Sequence, residues 1–200
     1  VNYAPYREVT LTETGQLAAL RVIRHHRLIE TFLANVLKVP WDRCHEEAER
    51  MEHVVSEEIE ARIDKLLGYP SHDPHGAPIP RADLSVDRQP WTAIAELPIG
   101  ATGRITRIRD DDAQALCEIT VLGLRPGLEF EVSHVAEPPS EDPFALSRKI
   151  RIGDREAGLS WRIATRIWAV PQIEAPMDPS SAPATETEAD TGTSFGDTVQ

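Results

Sequence analysis

The apolar pattern of this chain changes once along its length, and that change divides the chain into two kinds of structure. Leu17, Leu20, Ile23, Ile29, Phe32, Leu33, Val36 and Leu37 follow the three-and-four spacing of an amphipathic helix. Thr12 or Thr14 is a fitting N-cap, and Pro40 ends the element. Asp42 is placed to cap a second helix running to about Val55, and Ser56 a third with Ile59, Ile63, Leu66 and Leu67, closed by Gly68. The proline-rich stretch from Pro70 to Pro80 must be a loop, and the polar residues 82–98 read as a linker. From Ala101 the pattern is one of short strands: Thr102–Ile108, Leu128–Val135, Lys149–Ile152 and Ile167–Val170. Gly103, Gly123, Gly127, Gly153 and Gly158 punctuate them, and one helix of about Ala113–Leu122 interrupts the series. The expected class is α+β, a helical unit followed by a small barrel of SH3-like type.

No apolar run approaches the roughly 18 residues that cross a bilayer, and no signal-peptide pattern opens the chain, so no membrane partner is expected. Cys44 and Cys117 are far apart in no metal-type spacing, and read as reduced thiols of a cytoplasmic protein. A net charge of −12 weighs against nucleic acid as a partner. Half of it, however, comes from Glu174, Asp178, Glu186, Glu188, Asp190 and Asp197, in a stretch without Lys or Arg. Residues 172–200 offer almost nothing to bury and read as a disordered acidic tail.

The segment that carries chemistry is His45-Glu-Glu-Ala-Glu-Arg-Met-Glu-His53. On a helix, His45, Glu49, Glu52 and His53 share one face over two turns. His26 and Glu30 stand at i and i+4 on the preceding helix. Imidazoles and carboxylates on two facing helices suit first-row divalent cations, and these six side chains suffice for two adjacent ions. The bland alternative is a solvated acidic face with incidental histidines. Oxygen-rich, sulfur-free ligation favours Mn(II) or Fe(II) over a structural zinc. The zinc-protease pattern His-Glu-x-x-His fails, because Glu49 stands where the second histidine belongs. A di-metal oxidase would need Glu-x-x-His on two helices of a four-helix bundle, and Glu49-x-x-Glu52 has the wrong second residue. His25 reads as a surface residue, His72 and His75 as solvated loop histidines, and Cys44 as an inert thiol out of phase with the motif.

Five runs, in order, resemble the metal-dependent transcriptional repressors of the diphtheria toxin repressor and manganese-transport regulator family. They are Leu11–Gly15, Arg24–Glu30, His45–Glu49, Glu52–Ser56 and Asp73–Pro80. The resemblance implies a helical metal-binding and dimerisation domain over residues 12–81 and, more loosely, an SH3-like FeoA-type domain over 99–171. It implies an ancillary metal site at His26, Glu30 and His45, and a primary site at Glu49, Glu52 and His53. In manganese-sensing members the position of His26 joins the primary site, and the position of Glu49 is a glutamate rather than the cysteine of iron sensors. Mn(II) is therefore expected ahead of Fe(II), in keeping with the hardness of a carboxylate. Iron-sensing relatives draw a Glu and a Gln from the barrel, and Asp111, Asp112 and Gln114 lie nearest that place in sequence.

Against the family pattern, residues 1–11 correspond to the second strand of a winged-helix wing, so the chain is expected to be N-terminally truncated, without a recognition helix. The resemblance implies a homodimer that represses metal-homeostasis genes at operator DNA when a divalent ion is bound. The alternative is a metal-binding regulatory or buffering dimer that does not touch DNA. A di-metal oxidase is the third reading; no enzyme activity is expected.

Overall fold

The computed structural model describes residues 10–87, 89–136 and 142–172. The expected wing strand at residues 1–11, apart from Thr10 and Leu11, and the expected acidic tail, apart from Gln172, lie outside them.

Helix α1 runs Glu13–Asn35, and Thr12 caps it by accepting from the Gly15 N–H. Its C-terminal half is the buried half: Leu28, Ile29 and Leu33 are enclosed, whereas Leu17, Val22 and Ile23 remain in solvent. Pro40 breaks the chain, which resumes through a 3-10 turn at Trp41–Arg43 into α2, Cys44–Met51. Asp42 therefore sits inside that turn; Arg43 occupies the cap position without a side-chain bond. Cys44 and Ala48 on α2 pack against Ile29 and Leu33 of α1. Helix α3, Glu57–Leu66, is capped by Ser56 and crosses back so that Ile63 meets Leu28 and Ile79. Gly68 follows it with φ +74°, the left-handed conformation that closes a helix C-terminus.

The loop after α3 is clamped on both sides. Arg24 and Arg27 on α1 donate to the Pro80 and Pro78 carbonyls, and the Ile108 N–H donates to the His75 carbonyl at 2.8 Å.

Six strands form one antiparallel sheet: β1 Thr92–Ala93, β2 Thr102–Ile108, β3 Glu129–Val135, β4 Leu146–Ile152, β5 Arg155–Ser160 and β6 Ile167–Gln172. Their order is β1-β6-β2-β3-β4-β5. Helix α4, Ala113–Val121, follows β2, and the single turn α5, Trp161–Ala164, joins β5 to β6. Ile105, Ile108, Leu116, Ile119, Val132, Ile150, Leu159, Ile163 and Ile167 fill the core, and Trp41 from the helical unit packs on its margin.

One expectation needs correction, and one strand was not foreseen. The linker does not extend to residue 98: β1 pairs with β6, and Ile94, Ala95 and Leu97 are buried in the sheet core. Their apolar side chains decide this over the polar composition around them. Strand β5 had no sequence signal because Arg155, Glu156 and Gly158 face out and only Ala157 and Leu159 are buried. β2 and β6 lose register between Ile105 and Arg107, which makes Thr106 a bulge. The proline loop lies against that bulge.

Candidate metal centre

Glu30 is the centre of the site. Helix α1 carries it on the buried face, one turn after His26, and its side chain has no solvent exposure. A buried carboxylate needs a positive partner or donors. Oε1 lies 3.1 Å from His26 Nε2 and 3.1 Å from His45 Nδ1, while Oε2 has no hydrogen-bond partner. The two imidazoles meet edge to face, with His26 Nε2 3.0 Å from His45 Nδ1. One ligand atom from each of His26, Glu30 and His45 falls within 4.8 Å of the others.

Glu52 joins from the other side, its Oε2 2.8 Å from His26 Nδ1. Both nitrogens of His26 thus face carboxylates. Burial alone would lower its pKa, but hydrogen bonds and charge from Glu30 and Glu52 outweigh burial and raise it to about 9. Glu30 answers in kind: burial would raise its pKa, but the hydrogen bonds from His26 and His45 bring it down to about 2. His45 is also shifted upward, first by its hydrogen bond to Glu30. At neutral pH a proton on His26 therefore supplies the positive charge that the cluster of acids requires.

Four of the six side chains expected to hold metal are drawn together: His26, Glu30, His45 and Glu52. Glu49 stands at the rim, 62% exposed, with Oε1 3.5 Å from His45 Nε2. His53 is not in the cluster. Helix α2 ends at Met51 instead of running to Val55, so Glu52 keeps helical phase as its cap and His53 turns outward, 82% exposed. His25 is not a free surface residue either: its Nδ1 lies 2.7 Å from Glu60 Oε2.

Three further residues complete the neighbourhood: His75, read from the sequence as a solvated loop histidine, which the structure corrects, and Asp73 and Asp110, which the sequence reading did not single out as ligands. His75 is fully buried, because the loop that carries it is pressed between α1 and β2. Asp73 is buried two residues before it, with Oδ1 accepting from the His75 and Ala77 N–H groups, 2.9 Å each. Burial, then the nearby charge of Glu30, push its pKa up to about 6. From the barrel comes Asp110, whose Oδ2 is 3.7 Å from His45 Nδ1 and 3.5 Å from His75 Nδ1. Asp111 and Asp112 are occupied elsewhere: Asp111 pairs with Arg109 and Arg166, and Asp112 caps α4 and binds Arg162. Gln114 lines a groove with Phe144 and Leu146. The signal for His75 was the Asp73-Pro-His-Gly sequence, where a side-chain-capped turn and Gly76 at φ +82° hold the imidazole inward.

Residues 12–81 match the family described as iron dependent repressor, metal binding and dimerisation domain, and residues 92–171 match the FeoA domain. The chain belongs to the metal-dependent repressor family. The iron-dependent repressor IdeR of Mycobacterium tuberculosis is 41% identical over 102 residues, 48% of this chain and 44% of that protein. The diphtheria toxin repressor of Corynebacterium efficiens is 32% identical over 142 residues, 66% of this chain and 62% of its own length. A solved manganese-dependent transcriptional repressor in complex with manganese superimposes with a TM-score of 0.75 at 40% identity, covering 82% of this chain and 76% of the other. The chain spans about half the length of the first of these curated relatives.

The donor set fits the divalent ion that family membership implies. It is made of imidazole nitrogen and carboxylate oxygen, and Glu30 Oε2 is buried without a partner. Sulfur takes no part, since Cys44 Sγ donates to the Pro40 and Val39 carbonyls.

Proposed function

We propose that this chain belongs to a Mn(II)- or Fe(II)-responsive transcriptional repressor, acting as a cytoplasmic homodimer, not an enzyme, that binds operator DNA when metal is bound. The observation that carries the reading is the buried Glu30 held between His26 and His45, in a chain whose relatives are metal-dependent repressors. In this reading His26, Glu30 and His45 hold one ion, and Glu52, joined by Glu49 and His53 once their side chains swing inward, would hold another beside it. A bound divalent ion supplies the positive charge that here rests on the His26 proton. Oxygen-rich ligation and a glutamate at position 49 favour Mn(II), with Fe(II) as the alternative.

The chain's own residues explain how occupancy becomes a signal. The ligands come from α1, from α2 and from the turn after it, so drawing them together fixes the angle of the hairpin. Any ligand that prefers one arrangement raises its population by its differential affinity. Leu17, Val22, Ile23, Ile59 and Leu66 are left in solvent on α1 and α3, an apolar surface suited to a second copy.

The test is calorimetric titration of the metal-free chain with Mn(II) and with Fe(II), beside a His45→Ala variant, followed by retardation of operator DNA with and without metal. Loss of a directly ligating imidazole should weaken binding by at least the roughly 10–100-fold seen for outer-shell partners. Equal affinity in the variant would refute the site. Metal binding without metal-dependent DNA retardation would leave the DNA-free regulatory dimer in its place.

A further inference from the structure

Half-buried arginines elsewhere in this chain take acids as partners: Arg24 pairs with Glu60 and Asp64, and Arg162 with Asp112 and Glu118. Arg107 does not. Among the described residues no carboxylate pairs with it, and its Nε is enclosed without a hydrogen-bond partner. What holds it is aromatic: its guanidinium carbon lies 4.7 Å from the ring centroid of Trp168 and 5.3 Å from that of Trp91. A guanidinium stacks well on indole faces. The sheet builds this clamp. Arg107 and Trp168 are cross-strand partners on β2 and β6, and Trp91 immediately precedes β1, the other neighbour of β6. The two rings lie 5.9 Å apart, and Trp168 Nε1 donates to the Thr165 carbonyl at 3.2 Å, which fixes that indole. The bulge at Thr106 lets Ile105 and Ile108 both enter the core and leaves Arg107 out of it.

The clamped charge stands where the sheet domain meets the proline loop. A Cβ at Gly76 would lie 3.2 Å from Arg107 Cα, and the next N–H, that of Ile108, donates to the His75 carbonyl. Asp110, three residues on, approaches both His45 and His75. An unrestrained arginine at position 107 would close onto that acid and cancel its charge. The indoles hold it away, yet the charges still feel one another. Burial lowers the Arg107 pKa first and Arg27 adds to that, while Asp110 and Asp73 pull it back up. Arginine keeps its proton throughout, so the charge is permanent.

We propose that Arg107, clamped by Trp91 and Trp168, is an affinity-setting residue of the metal centre: a fixed cation that repels an incoming divalent ion without touching any ligand. The proposal rests on the metal-binding reading of His26, Glu30 and His45. A sensor has to release its ion as supply falls, and a cluster of acids with no opposing charge holds a divalent ion too long. Such a charge acts on every divalent ion through the same Coulomb interaction, whereas a changed ligand or site shape discriminates between them.

The metal-free 200-residue chain is titrated calorimetrically with Mn(II) and, separately, with Zn(II), beside Arg107→Met, Arg107→Lys and His45→Ala. Methionine keeps much of the stem that lies on the indoles and removes the charge; lysine keeps the charge. Arg107→Met should tighten both ions by the same factor, on the order of threefold to tenfold for a unit charge acting on a divalent ion along a partly buried path. Arg107→Lys should bind as the unmodified chain does. Unchanged affinity in Arg107→Met, tightening of one ion alone, or the same change in Arg107→Lys would each overturn the proposal. Should Arg107→Met fail to fold, Arg107→Gln carries the same expectation and the same refutations. Unchanged affinity in His45→Ala would instead overturn the metal site itself, whatever the Arg107 variants do.

Discussion

Replacing Gly76 by alanine tests whether the proline loop is truly locked against the sheet domain, because that contact closes one side of the pocket that buries Asp73 and His75. Gly76 has φ +82°, and a Cβ built there would lie 1.8 Å from the Thr106 carbonyl oxygen and 2.9 Å from its carbon. Thr106 is the bulge of β2, a strand paired on both edges, so it has little freedom to retreat. The loop must move instead, by about 1 Å or more, to reach ordinary van der Waals separation. Three effects then combine. A left-handed alanine costs about 1–2 kcal/mol. Loss of the Ile108 N–H to His75 carbonyl bond costs a further 0.5–1.5 kcal/mol or so. Reduced freedom of the unfolded chain returns about 0.4–1 kcal/mol. The expected net destabilisation is about 0.5–3 kcal/mol, or about 1 M in the urea midpoint at a slope of roughly 1–3 kcal/mol per M. Gly68→Ala is the matched control: its φ is +74°, but nothing lies within 4 Å of its Cβ. Urea unfolding of both variants at one protein concentration isolates the contact from the backbone strain. If Gly76→Ala unfolds at the same midpoint as Gly68→Ala, the loop is not pressed on the strand and the burial of His75 needs another cause.

The remaining predictions concern protons, metal choice and the barrel. With His26 raised to about 9, Mn(II) at neutral pH must displace its proton, so calorimetry in buffers of different ionisation enthalpy should show proton release and tighter binding as pH rises toward 9; buffer-independent heats would contradict the assigned proton. In the metal-free chain, His26 stabilises fully below its unfolded value of 6.5 and loses that contribution as pH rises through about 9, while Glu30 contributes above 4.5 and loses its contribution as pH falls through about 2. Thermal unfolding should therefore show this pair's full contribution between pH 4.5 and 6.5. Replacing Glu49 with cysteine should move metal preference from Mn(II) toward Fe(II), since a thiolate is the softer ligand; an unchanged ratio of affinities would show that the rim residue does not ligate. Asp112→Ala removes the N-cap of α4 and the partner of Arg162, and should lower barrel stability by about 1–2 kcal/mol by chemical denaturation; a midpoint shift near zero would mean the cap is not worth what its geometry suggests.

Much of the helical unit was legible because its signals are local. Thr12, Pro40, Ser56 and Gly68 mark ends through their own backbone chemistry, and His26 and Glu30 share a face by helical phase alone. The errors fall where phase was carried past an end that tertiary structure sets. Helix α2 stops at Met51, so phase placed Glu52 correctly, but the turn swung His53 outward. His75 was unreadable for the opposite reason. A histidine between prolines is solvated unless something distant covers it, and what covers it is β2, some thirty residues on. Asp110 shares that limit: beside Asp111 and Asp112 it looks like one acid of three, and only the fold directs it toward His45 and His75 while its neighbours take arginines.

The placement of these late additions changes what the site can report. His26, Glu30, His45 and Glu52 belong to the hairpin and its following turn, so an ion held by them alone would report only its closure. Asp73 and His75 belong to a loop gripped by Arg24 and Arg27 on one side and by the β2 backbone on the other, and Asp110 belongs to the barrel itself. If a bound ion draws charge onto Glu30, helix, loop and sheet domain are placed to respond together, through contacts packed too closely to deform gradually. Coupling between the two domains requires this kind of contiguity, an element whose alternatives are discrete and which both sides bias. The Gly76→Ala variant bears on this as well as on stability. If the loop transmits the state of Glu30 to the barrel, loosening it should weaken Mn(II) binding even though position 76 offers the ion no ligand. Unaltered affinity beside a lowered urea midpoint would show that the loop supports the fold without taking part in the metal response.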